Sequence, residues 1–171
     1  MSDLRPTRGP LRPNVGIALF NRAGRVLIAK RFQDDGPEII LPGHEWQMPQ
    51  GGIDPQEDPH PAAKRELWEE TGVRSVTYLA ETPDWLSYAF PPYHGPPHRL
   101  GAYSGQRQKW FAFRFTGEDS EIDVVSSREG DCEPEFSEWR WEKLERTPQL
   151  VVPFRREVYE KVAETFAMFA A

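Results

Sequence analysis

Short runs of β-branched and aliphatic residues alternate along this chain with polar, glycine-bearing segments. The first two runs predict strands at residues 15–20 and 26–30, joined through Asn21-Arg22-Ala23-Gly24 as a hairpin turn. Further strands are predicted at residues 77–81, 85–90 and 109–115. In the last of these Trp110, Ala112 and Arg114 alternate with Phe111, Phe113 and Phe115, so one face is strongly aromatic and belongs in the core. Residues 136–141, with two tryptophans, predict another strand. Helical spacing appears twice. Asp58 is a good N-cap with Pro59 at the first helical position, and Gly72 supplies a stop, which gives a short helix between them. From residue 154 to 169, Val158, Val162, Phe166 and Phe169 recur at the period of a second amphipathic helix whose stripe serves packing. Two helices beside a mixed sheet predict an α/β sandwich. Two long loops, 32–45 and 91–104, are rich in proline, glycine and histidine, and both border the segments that carry chemistry.

Size and charge narrow the function classes. With 171 residues and no break in composition, the chain fits a single domain over residues 11–171 behind a flexible N-terminal segment, 1–10. A single cysteine, Cys132, excludes an intramolecular disulfide, and its acidic neighbours Asp131 and Glu133 discourage a reactive thiolate. The N-terminus lacks the apolar core of a signal peptide, and no stretch reaches the ~18 apolar residues of a membrane span. The expectation is a soluble cytoplasmic protein with no membrane partner. A formal net charge of −6 argues against binding along duplex DNA, which needs many phosphate contacts. It leaves open a grip on one end of a nucleic acid, because positive residues are grouped at Arg12, Lys30 with Arg31, Arg107 with Lys109, and Arg155 with Arg156. Each group reads equally as solubilising charge. His44, His60, His94 and His98 lack a regular metal-ligand spacing and read as surface or loop residues.

The densest chemistry lies in residues 51–73, GGIDPQEDPHPAAKRELWEETGV. On a helix, Glu66, Glu69 and Glu70 stack along one side, where neighbouring side chains sit about 5–6 Å apart. Two carboxylates at that distance repel by about 3 kcal/mol at an effective dielectric of about 20, so the cluster needs a counter-charge. A hard cation with oxygen ligands answers that need. The Gly-Gly turn upstream can bring a backbone carbonyl to the same ion, Ala63 and Leu67 give the helix an apolar face, and Arg65 can pair with and orient a carboxylate. The competing reading is a merely solvated helix face.

Gly51, Glu57, Arg65, Glu66, Leu67, Glu69, Glu70, Gly72 and Val73 fall at every fixed position of the Nudix hydrolase signature, and the chain is identified by resemblance as a member of that superfamily. Arg12-Pro13-Asn14-Val15-Gly16-Ile17, Trp46-Gln47-Met48-Pro49-Gln50 and Gly105-Gln106-Arg107-Gln108-Lys109-Trp110-Phe111 resemble one branch within it. Pro134-Glu135-Phe136 and Val152-Pro153-Phe154-Arg155 do so too. That branch contains bacterial RNA pyrophosphohydrolases and diadenosine tetraphosphate hydrolases. The resemblance implies a Nudix fold, an α/β/α sandwich with the signature helix on one face. It implies Mg²⁺ or Mn²⁺ held by Glu66, Glu69, Glu70, the Gly51 carbonyl and Glu135. Glu70 is the first candidate for the general base, with Glu57 and Glu135 as alternatives, while Glu57 and Arg65 brace the helix and loop. Arg12, Arg31 and Lys109 are expected to bind a phosphate chain, and Phe154 with Tyr88 to stack on a base, although Phe154 reads equally well as core.

Three functions compete at this stage. The first is removal of pyrophosphate from the 5′-triphosphate end of RNA, leaving a monophosphate that promotes decay. The second is asymmetric cleavage of a dinucleoside polyphosphate, diadenosine tetraphosphate, to ATP and AMP, which the long 32–45 loop favours. The third is a non-catalytic nucleotide-binding domain, against which the intact glutamate cluster stands. Nothing in the chain names a protein partner.

Overall fold

A computed structural model of the chain describes residues 9–126 and 134–171; Cys132 and positions 1–8 of the N-terminal segment lie outside the described residues. The centre of the molecule is a mixed sheet built on two long strands, β1 (Leu11–Phe20) and β7 (Gly105–Phe115), which run parallel from Leu11↔Gly105 to Phe20↔Arg114. All other pairings are antiparallel. β2 (Val26–Arg31) returns along β1 through the predicted Asn21–Gly24 turn, β3 (Trp46–Gln47) and β8 (Phe136–Glu142) flank β2, and β4 (Gln50–Gly52) pairs with the first half of β1. On the far side β5 (Val76–Glu81) and β6 (Leu86–Ala89) pair with β7.

Alternation along β1 and β7 sends side chains into two cores, one on each face of the sheet. Val15, Ile17, Leu19, Phe111, Phe113 and Phe115 pack against α1 (Pro59–Thr71). Ala18, Phe20, Trp110 and Ala112 pack against the opposite layer, α2 (Thr147–Leu150) and α3 (Arg156–Thr165). The result is the expected α/β/α sandwich. The expectation for β7 named its phenylalanine face as core; because the strand is central, the Trp110 face is buried too.

The C-terminal stripe is carried by three elements rather than one helix. Pro153–Arg155 forms a 3₁₀ turn, α3 follows, and Ala167–Phe169 closes in a second 3₁₀ turn. Val158, Val162 and Phe166 are all buried as anticipated, while α2 was not foreseen. Among the described residues no helix is long and apolar enough to cross a membrane.

The α1 helix is the element that positions the chemistry. Gly72 ends it in the left-handed conformation at φ 76, with its N–H donating to Trp68 O, a geometry that glycine adopts without strain. Asp58 stands at the N-cap with extended backbone, but its side chain makes no capping bond. Ala62, Ala63, Leu67 and Thr71 face the core. Burying Leu67 contributes roughly 2 kcal/mol, less than the repulsion of one carboxylate pair on the other face. Packing alone therefore does not hold the glutamates together.

Candidate active site

Arg65 supplies the missing attraction. Its Nε and Nη2 donate to the two carboxylate oxygens of Glu57 at 2.8 Å each, and Nη2 also donates to Gly52 O at 2.9 Å. Its Nη1 donates to Glu66 at 2.9 Å and to both oxygens of Glu69 at 3.1 Å. One guanidinium thus ties α1 to β4 and to the loop between them, and Glu57 is held below the usual carboxylate range chiefly by that Arg65 bond. Glu69 faces Arg65, while Glu66 and Glu70 face a polar cavity of about 220 Å³.

The cavity lining carries both signs. Glu66, Glu70 and Glu135 form an acidic side, and Arg12, Arg31, Arg99 and Arg155 form a net basic side with Asp35 and Glu38, which pair with Arg99 and Arg155; Asn14, Gln50, Gly51, Gly52 and Gln106 also line it. Burial raises the Glu66 carboxyl to about 7, reinforced by the charge of Glu69. Burial also pushes Glu70 well up, and the charges of Glu135 and Glu66 push it further, even though Glu70 accepts the Gln50 backbone N–H at 3.2 Å. Ionising these carboxyls is therefore unfavourable unless a further positive charge is supplied.

The two glycines of β4 let both sides approach the backbone. A Cβ at Gly51 would lie 2.0 Å from the Glu66 carboxyl carbon, and one at Gly52 would lie 2.2 Å from Arg12 Nη2. Arg31 ends β2 beside an irregularity in the ladder. Lys30 faces Glu138 but Arg31 faces Phe136, so β8 carries one extra residue, Ser137, at that point. Burial and the nearby charge of Arg155 lower the Arg31 pKa, while Glu135 works in the opposite sense.

The structure separates the expected site residues into two sets. It brings Arg12, Arg31, Gly51, Glu66, Glu70 and Glu135 into one cavity, with Glu57, Arg65 and Glu69 directly behind it. It does not bring Lys109 there. Out of phase with Gln106 and Gln108 on β7, Lys109 donates to Pro83 O at 3.3 Å and lies 3.8 Å from Glu81. Tyr88 is buried, with its ring against Phe90 and Phe154 and its hydroxyl bonded to Glu38, so its faces are covered by protein. Phe154 is half-buried against the second core. Of the histidines, His60 packs among Tyr78, Phe111 and Phe113, and His98 bonds Asp35 at 2.9 Å.

Several lining residues escaped the sequence reading. Asn14 and Gln106 share a strand face with Arg12, through the register Arg12↔Gln106 and Asn14↔Gln108, so period-two alternation from Arg12 was the signal that could have found them. Gln108 donates to Asn14 at 2.8 Å and to Gln50 at 3.1 Å, completing a buried amide floor. Glu38 and Asp35, from the long first loop, carry no local signal.

The NUDIX domain family model matches residues 10–162, and the chain belongs to that family. Among curated relatives, the RNA pyrophosphohydrolase of Azorhizobium caulinodans is 52% identical over 161 residues, covering 94% of this chain and 95% of its own length. That of Bradyrhizobium sp. (strain ORS 278) is 55% identical over 161 residues with the same coverage. Two solved structures share the fold. The Caenorhabditis elegans Ap4A hydrolase binary complex gives a TM-score of 0.57 at 18% identity, covering 91% of this chain and 98% of its own. The Escherichia coli dihydroneopterin triphosphate pyrophosphohydrolase gives 0.60 at 17% identity, covering 91% and 99%.

Nudix hydrolases generally use a divalent metal, and the residues at the acidic side suit one. Among the described residues no group of three or more histidine, cysteine, aspartate or glutamate side chains is already gathered in a metal-holding arrangement. Glu66 and Glu69 are drawn instead to Arg65. The donor chemistry nevertheless fits a hard cation, since Glu66, Glu70 and Glu135 offer only oxygens and ionise together only with a further positive charge.

Proposed function

We propose that this chain is a metal-dependent hydrolase that removes pyrophosphate from the 5′-triphosphate end of RNA, leaving a 5′-monophosphate that promotes transcript decay in the cytoplasm. The observation that carries this reading is a cavity of about 220 Å³ lined by the Glu66, Glu70 and Glu135 carboxylates together with the Arg12 and Arg31 guanidiniums. Relatives more than half identical and named RNA pyrophosphohydrolase support it.

In this reading Glu66, Glu70, Glu135 and the Gly51 carbonyl would hold Mg²⁺ or Mn²⁺, and Glu69 would join them on leaving Arg65. A bound divalent cation neutralises charge on the phosphoryl oxygens and acidifies the attacking water. Glu70, which lines the cavity and accepts the Gln50 backbone N–H, is the residue that would take the proton from the attacking water. Glu135 and Glu57 are the alternative bases. Arg65 and Glu57 fix the register of α1 against β4 so that the carboxylates keep their spacing. Arg12 and Arg31 meet the phosphates, where planar guanidiniums match phosphate oxygens in pairs. Excess negative charge spread over the equatorial oxygens in the transition state is what these cations stabilise.

The long 32–45 loop, which lines the cavity through Asp35 and Glu38, favours a second reading, asymmetric cleavage of diadenosine tetraphosphate to ATP and AMP. A side-by-side measurement of kcat/KM with Mg²⁺ for a short 5′-triphosphate RNA and for diadenosine tetraphosphate tests the two. Faster RNA turnover is expected. Faster dinucleotide turnover would transfer the assignment, and inertness toward both would leave a binding domain.

A further inference from the structure

Glu38 lies in the 32–45 loop, outside every motif that points to the site, yet it makes four hydrogen bonds at the basic side of the cavity. Its carboxylate accepts from Arg155 Nη2 at 2.5 Å, from the Tyr88 hydroxyl at 2.5 Å and from Gln106 Nε2 at 2.6 Å. Its backbone carbonyl accepts from Arg31 Nη2 at 2.7 Å. The residue is 2% exposed, and Arg155 and Arg31 are 2% and 3% exposed, so all three groups are withdrawn from water. A single residue thus fastens two buried guanidiniums through different atoms.

The backbone of Glu38 is itself fixed from two sides. Asp35 and Glu38 exchange backbone hydrogen bonds at 3.1 and 3.0 Å, and the Asp35 carboxylate is gripped by His98 at 2.9 Å and Arg99 at 2.6 Å from the facing loop. The two long loops are thereby joined beside the cavity. Within this frame Arg31 Nε, Arg155 Nε and Gln106 Oε1 are buried without a partner in the protein. Such orphans are costly, and here they belong to residues that line the cavity.

We propose that Glu38 is a positioning residue for phosphate-chain binding: pinned through its carboxylate by Arg155, Tyr88 and Gln106, it fixes the carbonyl that holds Arg31 at the cavity wall. This inference rests on the reading of the cavity as a phosphate-chain site. Loss of the carboxylate charge leaves the Arg155 and Arg31 guanidiniums unscreened and the Glu38 carbonyl held by the Asp35 pair alone, so the Arg31 guanidinium no longer keeps its aim. Glu38 touches neither the acidic side nor the attacking water, so the effect falls on binding rather than on the chemical step.

The test is a double-mutant cycle on the full-length protein with Glu38→Gln, Arg31→Met and the combination. The dissociation constant of inorganic pyrophosphate is measured by calorimetry with Mg²⁺, and kcat and KM are measured on 5′-triphosphate RNA. Glu38→Gln is expected to raise both the dissociation constant and KM about tenfold, the size of one charge-assisted hydrogen bond, with kcat unchanged. In the Arg31→Met background the same substitution adds nothing. Equal weakening in both backgrounds, a lower kcat at constant KM, or no effect would overturn the proposal. Should Glu38→Gln fail the thermal unfolding control, Tyr88→Phe removes one donor from the same carboxylate and runs the same cycle, with a smaller rise that also vanishes without Arg31. Coupling seen with pyrophosphate in a parent protein that leaves RNA intact would keep the role of Glu38 and sink the RNA reading. RNA turnover without coupling would do the reverse.

Discussion

Raising the pH of the metal-free protein is expected to destabilise it, and Glu66 contributes a definite share of the loss. Burial, and then the charge of Glu69, lift its carboxyl from an ordinary 4.5 to about 7 in the folded state. Below 4.5 both folded and unfolded chains hold the proton and the full stability is present. Between 4.5 and about 7 the unfolded chain releases it first, so stability falls until the folded group ionises as well. A shift of that size corresponds to about 3 kcal/mol, which in a chain of this length lowers the melting temperature by roughly 10 °C. The assay is urea unfolding followed by tryptophan fluorescence in EDTA across that interval, for the parent and for Glu66→Gln. Glu70 titrates in both proteins, and Glu66→Gln also removes the charge that pushes it up, so the difference between the two curves reports Glu66 together with its coupling to Glu70. Added Mg²⁺ at about a hundredfold excess over its dissociation constant returns about 2.7 kcal/mol and should nearly flatten the parent profile. A parent whose stability rises over this window, or a Glu66→Gln protein that loses as much as the parent, would refute the argument.

Three further outcomes are expected. Glu70→Gln should lower kcat by about a hundredfold or more while the circular dichroism spectrum is retained, and ordinary turnover would remove Glu70 from the mechanism. Gly52→Ala places a methyl group where Arg12 Nη2 lies 2.2 Å away, so the flexible guanidinium must move; KM should rise while the urea midpoint changes little, and an unchanged KM would take Arg12 out of substrate binding. Tyr159→Phe removes the hydroxyl that accepts the Met48 backbone N–H at 3.0 Å, so a buried donor loses its partner at a cost of about 1–3 kcal/mol in urea unfolding, with kcat unaffected.

What could be read from the chain was what local rules enforce. The left-handed cap at Gly72, the Asn21–Gly24 turn and the α1 signature each follow from nearby residues, and the structure places them as the spacing required. Arg12, Gly51, Glu66 and Glu70 meet in one cavity because β1, β4 and α1 are held together by Arg65 and by the β1–β4 ladder. Glu38 was invisible for the opposite reason. Its meaning comes from Arg155, which lies 117 positions away, and no periodicity links the two. Tyr88 illustrates the same limit, since an aromatic beside a basic group reads as a stacking surface until tertiary packing covers its faces. The register slip beside Arg31 is likewise written in the pairing of β2 with β8 and not in either strand alone.

The parallel pairing at the centre of the sheet has a consequence for how the protein is made. Asn14 and Gln108 lie 94 positions apart, and bringing such distant segments together costs about 4 kcal/mol in chain entropy beyond a constant. At synthesis rates of about 5–20 residues per second, β1 leaves the ribosome roughly 5 to 20 s before β7 can join it. During that interval the hairpin partner β2 can cover one side of β1, while the strand edge destined for β7 stays open. The nascent chain therefore passes through a stage in which the segment of the carboxylate-bearing helix has been made but Arg12 has no Gln106 beside it. The exposed β1 edge at that stage is the place where a chaperone, or a neighbouring nascent chain, would engage this protein.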